Sequence, residues 1–276
     1  DMFSLLSDGN STYKNSVSSF QAFCISTASR VGTGNLAGIA TAISIGGPGS
    51  IFWMWLIALI GSASSFIEST LAQIYKKKDG NNYIGGPAYY MERGLKKRWM
   101  GVIFSILITI AFGLVFNSVQ ANTITLSLNN SFGFSKTIIG LIITILTLAV
   151  ILGGVNRIAK ISSFLVPIMA IAYIIVALFI VIKNITSLPE VFKMILENAF
   201  GVNQIIGGGL GAALMHGIKR GLFSNEAGMG SAPNAAATAD VSHPVKQGLI
   251  QTLGVFTDTL ITVSYTHLRA HETVLD

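Results

Sequence analysis

The sequence predicts an all-α, polytopic membrane protein, and three observations carry that prediction. Charged residues make up 11% of the 276 residues, against about 25% in a soluble domain. Hydrophobic residues make up 51% and gather in long runs, and a bilayer-spanning helix needs about 20 mostly apolar residues. The 29 glycines are too many for regular soluble helices but usual in membrane ones. Short segments of period-2 alternation, the mark of a transmembrane β-barrel, are absent. The net charge of +6 does not point to nucleic acid, because the basic residues sit in short loops between apolar runs, where topology explains them. The single cysteine, Cys24, excludes an internal disulfide and a multi-cysteine metal site. No signal peptide is evident. The chain opens on Asp1 rather than Met, as a stretch taken from mid-protein would.

The spans follow from the charge gaps. Between Asn15 and Tyr75 the only charges are Arg30 and Glu68, and Gly46-Gly47-Pro48-Gly49 divides that stretch into spans one and two. Gly101 to Leu128, Thr137 to Asn156 and Ile161 to Ile182 carry no charge and read as spans three, four and five. Span six, Asn198 to Ile218, is glycine-rich and resumes after Lys219-Arg220; a seventh starts near Gln247 and stops near Thr262. Lys14, Lys76, Lys77, Lys78, Arg93, Lys96, Lys97, Arg98, Arg157, Lys160 and Lys246 fall on one side, and only Lys136, Lys183 and Lys193 on the other. The basic side, with the Lys76–Arg98 loop, is expected to be cytoplasmic, so that span one runs outward. Leu188-Pro189-Glu190 opens a segment with Val191, Met194, Ile195 and Leu196 at helical spacing. It reads as an amphipathic helix at the outer surface or as a plain connection.

Two spans carry features that invite chemistry. In span one, Gly32-Thr33-Gly34-Asn35 weakens the helix at mid-membrane. Unwound backbone is tolerated at that depth only inside protein or along a cavity. There a half-helix N-terminus can take an anion and freed carbonyls a cation, as in many secondary transporters. The competing reading is helix packing through small residues. A dinucleotide fingerprint is excluded, because no strand or soluble βαβ unit precedes the glycines. Span six has the same glycine-punctuated character around Phe223-Ser224-Asn225-Glu226-Ala227-Gly228. Spans one and six lie five apart, which suits a five-helix repeat. Span three carries Asn117, Gln120 and Asn122 in an apolar run, where amides either bond across helices or bind a ligand. Arg30, Glu68, Lys219, Arg220, Glu226 and Asp258 lie in or near the spans, where charges are costly. Arg30 is expected to pair with Glu68 or Glu226, and Lys219 and Arg220 to pair or snorkel. Asp258 is a candidate cation ligand or marks a cavity. His267 and His271 have i, i+4 spacing, but with no third ligand they do not make a metal site.

The run FQAFCISTASRVGTGNLAGIATAISIGGPGSIFWMW (Phe20 to Trp55) resembles the alanine or glycine:cation symporter family. IGGPAYYMERGL (Ile84 to Leu95), NSVQAN (Asn117 to Asn122), ILGGVNRIAKISSFLVPIMA (Ile151 to Ala170), RGLFSNEAGMGSAP (Arg220 to Pro233) and HPVKQGL (His243 to Leu249) agree in the same order, from roughly Ser16 to Ile261. The resemblance implies import of small neutral amino acids, chiefly alanine and glycine, driven by sodium or protons across a bacterial plasma membrane by alternating access. It implies two inverted repeats of five helices, the first helix of each broken, as in the amino-acid–polyamine–organocation and neurotransmitter:sodium symporters. Here the first repeat would be 16–183 and the second would begin at 203–262. The VGTGN of span one is similar to the VGLGN of the latter. By that likeness Gly32, Thr33, Gly34 and Asn35 meet the substrate carboxylate. The carbonyls of Ala28 and Val31 face a sodium site, Asn35 ligates an ion or orders the broken helix, and Gln120, Phe223, Ser224 and Asn225 complete the pocket; Asp258, a candidate cation ligand by its own charge, is added to the sodium set. A small pocket discriminates one methylene only modestly.

The resemblance also has departures. Family members carry one more helix before span one and about four after span seven. Residues 1–262 therefore read as a partial transporter domain, expected not to transport by itself. From Val263 to Asp276 the apolar character stops, and two of the four histidines lie there. That stretch resembles translated adapter sequence and reads as non-native. No enzyme cofactor is implied, only the coupling ion. The alternative from another class is a channel-like or structural subunit, which would favour a symmetric pore motif over paired broken helices. A membrane enzyme would need a nucleophile–base pair or metal cluster within the spans, and none is present in the sequence outside the last stretch.

Overall fold

The computed structural model describes residues 2–7, 16–32, 35, 38–80, 82–200 and 209–259. Span one is two helices, α1 (Ser19–Arg30) and α2 (Ile39–Gly46). A capping box starts α1: Ser18 Oγ accepts from the Gln21 amide at 3.2 Å, and Gln21 Oε1 accepts from the Ser18 amide at 3.0 Å, so two otherwise orphaned N–H groups are satisfied. Span two is α3 (Ser50–Ile74). The loop after it is not wholly irregular: β1 (Lys77–Asp79) and β2 (Asn82–Ile84) form an antiparallel hairpin, with Lys78 opposite Tyr83. Expecting helices alone missed this pair, because three-residue strands carry too little pattern to be read. The short helix α4 (Pro87–Arg93) follows.

Span three is one continuous stretch, Arg98–Phe132. It comprises α5 (Arg98–Ile110), a π segment (Ala111–Phe116) and α6 (Asn117–Phe132). Spans four and five are α7 (Lys136–Ile151) and α8 (Gly154–Lys183). Arg157 and Lys160, expected in a loop, are carried in the first turns of α8, where Arg157 Nη1 donates to the Ala149 carbonyl at 2.8 Å. The segment after span five forms α9 (Leu188–Phe200), a helix, as both readings of it expected. It takes in Asn198 to Phe200, read from the sequence as the start of span six, and residues 201–208 lie outside the described set. Its Val191, Ile195 and Ala199 are buried, while Leu196, part of the expected apolar face, is exposed.

Span six is also two helices, α10 (Gly209–Asn225) and α11 (Ser231–Thr238). The break falls at Glu226–Gly230, with Glu226, Gly228 and Gly230 all at positive φ. α12 (Pro244–Phe256) begins span seven; it is capped by His243 Nδ1, which accepts from the Val245 amide at 3.3 Å. The stretch 263–276 lies outside the described residues.

α3 is the centre of the packing, in contact with α9, α10, α11 and α12. Met54 joins Ile39 and Ala42 of α2, Ile51 joins Val191 and Ile195 of α9, and Ala58 joins Ala227 and Val255. α7 and α8 instead leave Leu141, Ile145, Phe164, Ile171 and Phe179 exposed, as helices facing lipid do. Among the described residues, Ser50–Ile74, Arg98–Phe132 and Gly154–Lys183 are long and apolar enough to cross a membrane.

Candidate functional site

The two interrupted helices meet at a buried polar cluster. Asn35 lies between α1 and α2, Ser224 in the last turn of α10, and Asp258 and Thr259 just past α12. Asn35, Asp258 and Thr259 are 0% exposed and Ser224 is 2% exposed. Asn35 Nδ2 donates to Asp258 Oδ1. The Ser224 hydroxyl donates to Asp258 Oδ2 at 2.7 Å and lies 2.9 Å from Asn35 Oδ1. Thr259 Oγ1 donates to Asp258 Oδ2 at 3.3 Å. A carboxylate, an amide oxygen and two hydroxyls make a set of hard oxygen donors, the kind that hard cations take. Buried without such donors, the carboxylate would be very costly. The Asn35 backbone N–H also donates to the Gly32 carbonyl at 3.1 Å.

A second wall comes from span three. Phe112, Phe116 and Gln120 are spaced by four and share one helix face. Phe112 stacks on Phe116 (4.6 Å between centroids) and Phe116 stacks on Phe223 (4.8 Å). At the other end of that face the Gln120 amide touches Gly32. A Cβ placed there would overlap Gln120 Nε2 and lie 3.2 Å from its Cδ and Oε1. The same face of span three therefore reaches both interruptions, and its π segment, which shifts side chains around the helix, ends at Phe116.

A third group surrounds the span-six break. Glu226 accepts from Ser29 Oγ (2.9 and 3.1 Å to its two oxygens) and from Ser231 Oγ. Glu68 accepts from the Gly228 amide at 3.1 Å. The expected pairing of Arg30 with Glu68 or Glu226 is not found. Arg30 donates instead to the Gln251 carbonyl and to Ser65 Oγ, both at 3.3 Å. Among the described residues the ion pairs are Arg98–Glu92 (4.0 Å) and Lys193–Glu197 (3.7 Å). The reason is geometric. Both glutamates already accept from groups flanking or within the break, and Gly254, lacking a Cβ, lets the guanidinium lie against α12. Glu226, Asp258 and Glu68 act on Arg30 only at longer range.

The remaining sequence candidates fall as follows. Gly32, Asn35, Gln120, Phe223, Ser224 and Asp258 gather as described. Asn225 is buried, but its Oδ1 accepts from the Ala227 amide at 3.0 Å, an Asx-type turn, and its amide lies against Gly61 of α3. Ala28 has an exposed side chain. Among the described residues no backbone N–H donates to the carbonyl of Ala28 or Val31, while the Val31 amide donates to Thr27 at 2.8 Å. Thr33 and Gly34 lie outside the described residues. Arg220 lies beside Gly38 and Lys219 is exposed. Sequence reasoning missed Phe112, Phe116, Ser29 and Ser231. The spacing of Phe112, Phe116 and Gln120 by four was the available signal for the first two.

The sodium:alanine symporter family matches residues 1–271. The chain belongs to that family. Among curated relatives, it is 63% identical over 262 residues to the probable sodium/glutamine symporter GlnT of Bacillus subtilis (strain 168), covering 95% of this chain and 55% of the relative. It is 59% identical to the amino-acid carrier protein AlsT of the same organism, covering 89% and 53%. It is 41% identical to a sodium/proton-dependent alanine carrier protein of Bacillus sp. (strain PS3), covering 91% and 56%. The chain thus spans about half the length of the relatives it matches.

Proposed function

We propose that the protein containing this chain is a sodium-coupled symporter of small neutral amino acids, working by alternating access in a two-repeat, five-plus-five helix fold. One observation carries the reading: the buried Asn35–Ser224–Asp258 cluster lies where the two interrupted helices meet. Broken helices offer N–H groups to a carboxylate and carbonyls to a cation without exposing them to lipid. In this reading the unwound stretch from Gly32 binds the substrate carboxylate, and Gln120 and Phe223 close the pocket over a short side chain. Asp258, Asn35 and Ser224, with the carbonyls of Ala28 and Val31, supply oxygen to sodium. The charge balance supports it. Glu68, Glu226 and Asp258 are buried with Arg30 acting on them only at longer range, so their charge calls for cations or protons to offset it. Sodium binding orders the Asn35 turn and substrate binding the Gly32 backbone next to it, so each favours the other; that coupling is reciprocal.

The test is uptake into proteoliposomes holding the full-length protein. Radiolabelled alanine, glycine and glutamine are supplied under a sodium gradient, a proton gradient, or potassium alone. Sodium-dependent accumulation of alanine or glycine is expected. Accumulation of glutamine alone would overturn the small-substrate assignment while leaving sodium coupling intact. Downhill flux with no gradient coupling would favour a channel-like subunit instead.

A further inference from the structure

A polar seam runs through the bundle apart from the site above. On α3, Ser65, Ser69 and Gln73 are spaced by four and all buried, so they share one face. On α12, Gln247 and Gln251 have the same spacing and are both 0% exposed. The two helices are antiparallel along this line, with Ser65 Oγ 3.5 Å from the Gln251 carbonyl. α1 closes the third side: Gln247 Nε2 donates to Ser19 Oγ at 3.3 Å, and Arg30 reaches Gln251.

Several of these groups are unsatisfied. Ser69 Oγ, Gln247 Oε1, both amide atoms of Gln251 and Arg30 Nε are buried with no hydrogen-bond partner among the described residues. Such groups are costly when dry, and nearly all buried polar atoms in proteins have partners. Five such atoms lie on the facing sides of α1, α3 and α12, each able to bond water, and internal water is the usual partner of buried polar groups left unpaired by protein.

We propose that the seam between α1, α3 and α12 is a water-filled path. It begins one turn inside exposed His243, at Gln247, and ends at Arg30. It hydrates a guanidinium that, among the described residues, has no carboxylate within ion-pair distance. Arg30 places a charged, strongly hydrogen-bonding group at its inner end, with Glu226, Asp258 and Glu68 at longer range. The proposal does not rest on the transport reading.

The test is silver-ion access to single cysteines in the full-length protein, with Cys24→Ala as background. Silver ion travels through water and reacts with thiols. Ser69→Cys and Gln247→Cys sample the seam; Ala58→Cys and Ile250→Cys sample equally buried apolar positions on the same two helices. Silver is added from the side bearing the Lys76–Arg98 loop, and protection of each thiol from later maleimide labelling is followed. A dry site reacts only through local opening, and an opening free energy of even about 1.4 kcal/mol slows it about tenfold. Seam cysteines are therefore expected to react at least about tenfold faster than the controls. Equal rates, whether all slow or all fast, would overturn the proposal. If Ser69→Cys fails to fold, Gln247→Cys carries the test. The readout needs no substrate, so it stands or falls separately from symport.

Discussion

Gly32→Ala offers the sharpest probe of the site, because the structure names what the added methyl would meet. A Cβ at Gly32 overlaps Gln120 Nε2 and sits 3.2 Å from Cδ and Oε1. Gly32 is not in the left-handed region, so alanine brings no backbone strain there. The entropy lost from the unfolded chain favours alanine by about 0.4–1 kcal/mol. Against that stands an overpacking cost of about 1–3 kcal/mol if Gln120 is held, and less if its flexible end swings away. The net effect on folding is therefore small, about 0–2 kcal/mol. The effect on binding is larger, because the movement that relieves the clash displaces Gln120 from the pocket. Gln120→Ala removes the group that is struck, so Gly32→Ala should cost much less in that background. Amino-acid Kd values for the wild type, both single variants and the double variant would give the coupling. It is expected to exceed about 1 kcal/mol, well above the 0.3–0.5 kcal/mol scatter of independent sites. Additivity within that scatter would refute the placement of Gln120 against the unwound backbone.

Three further expectations follow from other parts of the structure. Asp258→Asn keeps the shape of the cluster but removes its charge, so sodium, which should raise the Tm of the wild type (about 2.7 kcal/mol at one hundred times Kd), should no longer do so. An unchanged difference between sodium and potassium buffers would refute Asp258 as a sodium ligand. Gly254→Ala drives a methyl into the Arg30 guanidinium, with Cζ at 3.4 Å, and should destabilise the protein by about 1–3 kcal/mol in detergent denaturation. A neutral result would show that Arg30 does not lie there. Lys76 donates to Gln73 Oε1 and the Ala239 carbonyl, both at 2.7 Å, and lies 4.0 Å over the Tyr83 ring. Burial pulls its pKa down from 10.5 to about 8, with Asp240 opposing. Between those values the unfolded chain holds a proton the folded chain lacks, so this lysine's contribution makes stability rise with pH from about 8 to 10.5. Below that window the full penalty applies. Melting curves of Lys76→Gln should lack that rise, and curves parallel to the wild type would contradict it.

Much of the architecture was legible in the chain because membrane helices are written in long, local patterns. Charge gaps located spans two and three closely, at α3 and Arg98–Phe132, while α8 starts at Gly154 rather than Ile161 and Asn198 belongs to α9; the gaps are legible because a charge in hydrocarbon is penalised wherever the fold places it. The interruption of span one could be read from Gly32 and Gly34, and that of span six from its glycines, because the loss of helix propensity is a local property. Gly32, Asn35, Gln120, Phe223 and Ser224 were named from motif resemblance and Asp258 from its charge within a span; Asn35, Ser224 and Asp258 share hydrogen bonds, and Gln120 lies against Gly32.

What the tertiary structure alone decided was which side chain meets which. Arg30 had carboxylates on offer in the sequence, yet it lies against Gly254 and bonds Gln251 and Ser65. The choice depends on a gap in α12, more than 220 positions away. The break in span six, which the sequence placed only somewhere around Phe223–Gly228, falls at Glu226–Gly230, where Glu226 takes a positive φ and Ser29 and Ser231 hold its carboxylate. No neighbour in sequence announces that. The ladder from Phe112 to Phe223 and the polar seam from Ser69 to Gln251 also join separate helices. Sequence determines which faces are apolar, polar or breakable, because those depend on each residue and its near neighbours. Partnership depends on the rotation and approach of whole helices, which packing sets and the local pattern does not record.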